Sequence, residues 1–166
     1  IERLVDFMAL KPRSKVLDLA CGKGRHARTL HALGLNVLGT DLSPQSIAFA
    51  NESAVDGLRF QVQDMREPLQ NESFDAVFNL FTSFGYFDKQ EDNLLTLSAV
   101  CQDLKPKGVF VQDFFNAHVV QRNLVPYELK SLDGIAFEIT KEIIDKRIIK
   151  TIRFKDQNED FEFQEK

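Results

Sequence analysis

The 166-residue chain is 43% hydrophobic and 28% charged, enough to bury roughly 70% of its unfolded surface in one compact fold. Its 21 Lys and Arg against 25 Asp and Glu give a net charge of -4; the basic residues are scattered, which argues against a nucleic-acid or anionic-membrane surface. No apolar run approaches the ~20 residues that span a bilayer, and Ile1-Glu2-Arg3-Leu4 does not read as a signal peptide, so a soluble, cytoplasmic protein with reduced Cys21 and Cys101 is expected.

Ile1 to Leu10 reads as a helix ahead of the first strand, Val16-Leu17-Asp18-Leu19. The loop Cys21-Gly22-Lys23-Gly24 then leads into a helix from Arg25 to Leu33, closed by Gly34. Leu35 to Gly39 is a second strand, and Ser43-Pro44 is a helix cap and first-turn pair opening a helix whose Ile47, Ala50 and Ala54 share a face. Leu58 to Val62 is a third strand. Met65 to Ser73 is too short and polar for a full helix and predicts a looped crossover to the apolar run Phe74 to Phe81. Leu94, Leu97, Cys101 and Leu104 recur at helical spacing, and Lys105-Pro106-Lys107-Gly108 breaks the chain before a fifth strand, Val109 to Phe114.

Beyond Asn123 the pattern changes. Ile135, Phe137 and Ile139 alternate with polar residues, as do Ile148, Ile152 and Phe154, then Phe161 and Phe163, with turns at Asp145-Lys146 and Asp156 to Glu159. The expected architecture is α/β: a doubly wound, mostly parallel sheet over 1–123 and an antiparallel β-meander over 124–166.

Gly22, Gly24 and Ala27 lie where a strand becomes a helix, so backbone can approach a ligand and free helix N–H groups face it. These positions satisfy G-x-G-x-x-A, with Asp41 about 20 residues on, so a dinucleotide site is one reading. Asp18, at the end of the first strand, would repel a pyrophosphate and favour a cationic ligand. In structural terms Asp18 can instead accept loop amides, Asp41 can stabilise the turn that follows it, and Asp64 can be an ordinary loop acid.

With the acid of Asp18-Leu19-Ala20-Cys21-Gly22-Lys23-Gly24 ahead of its glycines, the chain resembles the class I S-adenosylmethionine-dependent methyltransferases over roughly residues 14 to 115. The resemblance implies a Rossmann-like methyltransferase fold, S-adenosyl-L-methionine as cofactor, and a glycine loop of Ala20, Cys21, Gly22 and Gly24 against it. It further implies that Asp41 accepts both ribose hydroxyls, Leu42 packs on adenine, and Asp64 accepts from the adenine amino group beside Met65. Asn79, Leu80 and Phe81 would pass beneath the methionine portion, and Thr82 to Phe87 would face the acceptor. Lys23 is expected to be solvated, and Arg25 is a candidate for the cofactor carboxylate.

The implied reaction is direct displacement at the sulfonium methyl, with a small-molecule O or N acceptor as partner, because no Asn-Pro-Pro-Tyr or Asp-Pro-Pro-Tyr follows the fourth strand. Tyr86, His118 and Asp113 are the candidates to take the acceptor's proton. His26, His31 and His118 have no metal-ligand spacing, so no metal is expected. Against the family pattern the chain lacks a final helix-strand-strand block and reads as truncated at its C-terminus. The meander is then an acceptor-side lid or insertion, and a homodimer through exposed strand edges is among the expectations. The competing functions are an NAD(P)-binding oxidoreductase and a non-catalytic cofactor-binding module.

Overall fold

The computed structural model describes every residue except Thr82, Tyr86, Lys146, Asn158 and Lys166. Two compact units follow one another, Ile1–Phe114 and Phe115–Lys166. The division falls ahead of the expected position at 123.

In the first unit, helix α1 (Glu2–Phe7) precedes strand β1 (Lys15–Leu19), helix α2 (Arg25–Ala32), strand β2 (Asn36–Asp41), helix α3 (Pro44–Asn51) and strand β3 (Leu58–Val62). Strand β4 (Phe74–Asn79), helix α4 (Gln90–Asp103) and strand β5 (Leu104–Gln112) complete it. The five strands run parallel in the order β3-β2-β1-β4-β5, so the chain reverses direction across the sheet between β3 and β4. In such sheets the crevice at that reversal, beyond the strands' carboxyl ends, receives the ligand.

Alternation along the strands sends Val16, Val37, Ala76 and Phe78 to one face, where they pack with Ala27 and Leu30 of α2 and Ile47 and Ala50 of α3. Leu17, Leu19, Leu38 and Val77 pack on the other face with Val100 of α4. Both faces are therefore covered, which is why β1 and β4 read as nearly continuous apolar runs. The Ser43 hydroxyl accepts from the Ser46 amide at 3.2 Å with Pro44 in the first turn, a cap worth about 1 kcal/mol.

Several local expectations are corrected. Ala54 lies beyond the end of α3 and is exposed. Helix α4 keeps its expected period but turns a different face inward: Thr96, Ala99, Val100 and Asp103 are buried, whereas Leu94 and Leu95 are exposed and Leu104 opens β5. Its two inward polar groups are satisfied by backbone, since Thr96 Oγ1 donates to the Asp92 carbonyl at 3.1 Å and Asp103 Oδ1 accepts from the Leu69 amide at 2.8 Å. Residues 105–108 do not break the chain. They belong to β5, whose register against β4 shifts between Phe74 and Ala76, with Lys107 at φ 68°.

The second unit contains helix α5 (Ala117–Arg122) and an antiparallel sheet of strands β6 (Tyr127–Leu132), β7 (Ile135–Ile144), β8 (Arg147–Asp156) and β9 (Glu159–Glu165) in sequential order. Three of these strands match the expected meander; β6 and α5 were not expected. Phe137, Phe154 and Phe161 are cross-strand neighbours, with ring centroids 4.9 and 5.1 Å apart. On the same sheet Arg153 opposes Glu162 at 2.6 Å and Lys150 opposes Glu165 at 2.9 Å, which favours this register over its neighbours. Among the described residues no helix is long and apolar enough to cross a membrane.

Candidate functional site

A cleft of about 650 Å³ lies at the carboxyl-end loops of β1 to β4, lined by Ala20, Cys21, Gly22, Lys23, Arg25, His26, Asp41, Leu42, Gln63, Asp64, Met65, Leu80, Phe81, Ser83 and Phe87. It thus brings together nine of the twelve residues expected to hold the cofactor, Ala20, Cys21, Gly22, Asp41, Leu42, Asp64, Met65, Leu80 and Phe81, with Ser83 and Phe87 of the stretch expected to face the acceptor. Asp18, Gly24 and Asn79 do not line it. Lys23 is exposed, as expected, and is also among the lining residues, together with Arg25. His26 and Gln63 were missed, and their sequence signal amounts only to lying beside residues already chosen.

Asp41 is the hinge of the cleft. Its Oδ2 accepts from the Gly22 amide at 2.8 Å and its Oδ1 from the Ser43 amide at 2.9 Å. The carboxylate therefore stabilises the turn after β2, as the purely structural alternative had it, and in addition ties that turn to the glycine loop. Each oxygen retains a further lone pair, so this role and acceptance of two ligand hydroxyls are compatible.

Asp18 is 1% exposed, and burial, opposed by the Ala27 amide and reinforced by the Asp41 charge, pushes its carboxyl up to about 7. Its Oδ2 and the Oδ1 of Asn79, on the adjacent strand β4, are both buried without a protein partner. Asn79 Nδ2 donates to the Leu19 carbonyl at 3.1 Å, locking the ends of β1 and β4 together. Because the folded value of Asp18 is raised, its contribution to stability is complete below about pH 4 and is lost as pH rises through about 7. We expect Asp18→Asn to be more stable than the parent at pH 8, by on the order of 4 kcal/mol, with the difference vanishing near pH 4. Urea denaturation at both pH values measures it, and a difference independent of pH would contradict it.

Cys21 is buried in the loop, and burial with the Asp18 and Asp41 charges pushes its thiol up to about 12. It packs; it does not supply a thiolate. His26 Nε2 lies 3.0 Å from Arg25 Nη2, and burial followed by the Arg25 charge lowers the imidazole below its ordinary value. The Arg25 guanidinium in turn stands 5.2 Å over the Phe81 ring. Phe81 holds φ 63°, unusual for an aromatic residue, while Asp113 Oδ2 accepts its amide at 3.1 Å and the Asp113 amide donates to the Asn79 carbonyl at 2.9 Å.

Of the proton-acceptor candidates, Asp113 is therefore engaged in holding the Phe81 turn. Tyr86 falls outside the described residues. His118 lies on α5 in the second unit, where its amide donates to the Asn116 cap at 3.1 Å. Among the described residues no three His, Cys, Asp or Glu converge as a metal site.

Residues 16–108 match the family described as a methyltransferase domain. The Bacillus subtilis (strain 168) protein YqeM, which carries a methyltransferase name, is 35% identical over 108 residues, 63% of this chain and 44% of that protein. A Streptomyces venezuelae dTDP-3-amino-3,4,6-trideoxy-alpha-D-glucopyranose N,N-dimethyltransferase is 31% identical over 98 residues, covering 59% of this chain and 41% of the relative. The chain thus spans less than half the length of either. A crystal structure of an S-adenosylmethionine-dependent methyltransferase from Clostridium acetobutylicum ATCC 824 superposes with a TM-score of 0.79 at 25% identity, covering 99% of this chain and 69% of that one.

Proposed function

Because the chain belongs to the class I S-adenosylmethionine-dependent methyltransferases, with S-adenosyl-L-methionine as cofactor, we propose that it catalyses methyl transfer to a nitrogen or oxygen of a small molecule. The observation that carries this reading is the cleft itself, with Gly22, Asp41 and Asp64 all in its lining. Its residues suit such a cofactor. A Cβ at Gly22 would meet nothing within 4 Å, so the loop leaves room for a ligand at its backbone. The lone pairs left on Asp41 suit ribose hydroxyls, and the buried Asp18 Oδ2 and Asn79 Oδ1 offer unsatisfied acceptors near a cation.

Bound S-adenosylmethionine supplies an activated methyl and its own leaving group, so the protein's share is alignment and exclusion of water. In this reading Asp41 fixes the ribose and the Gly22 loop together, Asp64 and Met65 hold the adenine, and Leu80 and Phe81 wall the methionine end. Arg25, stacked on Phe81, faces the cofactor carboxylate.

Amino-bearing sugars are the favoured acceptors. Relatives from Streptomyces venezuelae and Streptomyces fradiae, 31% and 32% identical over 98 residues, are named for N,N-dimethylation of dTDP-linked amino sugars. Lys23 and Arg25 on the cleft lining suit an acceptor carrying negative charge. Incubation with methyl-labelled S-adenosylmethionine and a panel of free and nucleotide-linked amino sugars, with hydroxyl-bearing counterparts, tests the reading. Label on an amino sugar is expected. Label on no small molecule, from a chain that binds S-adenosylhomocysteine, would leave a cofactor-binding module as the correct description.

A further inference from the structure

The Asp64 carboxylate is not a free loop acid. Arg66, two residues on, folds back over it: its amide donates to Oδ1 at 2.9 Å, Nε reaches Oδ1 at 3.0 Å and Oδ2 at 3.1 Å, and Nη2 donates to Oδ2 at 2.6 Å. The third nitrogen, Nη1, donates to Asp92 Oδ1 in the first turn of α4 at 3.1 Å. The face of the same guanidinium lies 4.8 Å from the centre of the Phe87 ring. One side chain therefore joins the turn after β3, the loop before α4, and α4 itself. Asp64 and Phe87 line the cleft, and Arg66 does not.

We propose that Arg66 is a positioning residue that fixes Asp64 as an oriented, ionised acceptor and so makes the cleft select a 6-amino purine over a 6-oxo purine. This rests on the reading that the adenine of S-adenosylmethionine lies against Asp64. A carboxylate on a short turn rotates about two side-chain bonds, and a fork to both of its oxygens removes that freedom. The hydrogen bonds from Arg66 also hold the Asp64 carboxyl below the usual carboxylate range, so it accepts and never donates. Of its lone-pair directions most are taken by Arg66, and the remainder has a fixed aim. An exocyclic amino group satisfies it, whereas a 6-oxo group meets it oxygen to oxygen. Lysine cannot replace this arrangement, since a single ammonium neither forks a carboxylate nor stacks on Phe87. Asp92 and Phe87 hold the guanidinium in its plane from the other two sides.

The test is calorimetric titration of the whole chain with S-adenosylhomocysteine and with its deaminated counterpart, S-inosylhomocysteine, for the parent, Arg66→Ala, Arg66→Lys and Asp92→Asn. The parent should prefer the adenosyl compound by about tenfold or more, the scale of one charge-assisted hydrogen bond. In Arg66→Ala the ratio of the two affinities should fall towards one, with Arg66→Lys close behind and Asp92→Asn between. A purely structural role would weaken both ligands alike and preserve the ratio, so an unchanged ratio in folded Arg66→Ala overturns the proposal. If that variant does not fold, an unchanged ratio in Asp92→Asn and in Phe87→Leu does the same. A parent that binds both ligands without distinguishing them removes adenine from Asp64, and the reading of the site fails with the proposal. A parent that discriminates while its variants keep the ratio loses only the role of Arg66.

Discussion

Replacing Asp41 by alanine should raise the dissociation constant for S-adenosylhomocysteine ten- to several-hundred-fold, the largest loss of affinity expected from any single change in the cleft. Two ribose hydroxyls donating to an ionised carboxylate make charge-assisted bonds worth about 1.5–3 kcal/mol each, and water entering the vacated space recovers roughly half of that total. The same carboxylate holds the Gly22 and Ser43 amides at 2.8 and 2.9 Å, so the substitution also loosens the glycine loop proposed to carry the cofactor. Some loss of stability accompanies it, and affinity must be read on protein shown to be folded by its urea transition. Asp41→Asn separates the two effects. Its amide oxygen can still accept one of the backbone N–H groups while its NH2 faces a donor, so it should fold better than alanine yet bind almost as poorly. Parent-like affinity in either folded variant would contradict the assignment of Asp41. Asp64→Ala should weaken binding less, because it removes one contact that water can replace.

The two loop glycines should fail in different ways. Gly24 sits at φ 78°, and a Cβ there would lie 2.7 and 2.8 Å from the Phe60 ring and 3.2 Å from the Ala50 Cβ. Gly24→Ala therefore combines left-handed strain of about 1–2 kcal/mol with overpacking of about 1–3 kcal/mol, a large part of an ordinary domain's stability. Gly22, at φ 55°, has open space where its Cβ would stand, so Gly22→Ala should lose only the strain, about 1–2 kcal/mol, and show its main effect on ligand affinity. Urea midpoints and binding isotherms for the pair measure this contrast. A Gly24→Ala protein as stable as the parent would show that Phe60 moves aside freely and that the loop is not packed as described.

Much of the first unit was legible because its signals are local. Apolar runs in β1 and β4, the Ser43-Pro44 start of α3 and the positive-φ Gly34 after α2 each declare themselves within a few residues. The three acids were legible as strand-end residues, but their partners were not, since nothing in the sequence says that Asp41 reaches the Gly22 amide or that Arg66 turns back on Asp64. Helix α4 was misjudged in phase because its inward face carries Thr96 and Asp103, polar groups that count as outward until their backbone partners are known. Strand β6 was missed because its large apolar residues, Leu129 and Leu132, are exposed and its pairing with β7 is a backbone matter. The signal was nonetheless present: Asp133-Gly134, both at positive φ, is the dipeptide that favours a tight hairpin between exactly such strands. Helix α5 spans six residues, too few for periodicity to show.

The measurement that bears most directly on the account is a pair of isotherms on the unmodified chain, one with S-adenosylhomocysteine and one with NAD(H). The glycine loop and Asp41 would serve either ligand, whereas at pH 8, above the raised value of Asp18, the charge of that carboxylate opposes a pyrophosphate and favours a cation. Saturable binding of S-adenosylhomocysteine with no comparable uptake of NAD(H) is the predicted result. Tighter binding of NAD(H) would contradict it.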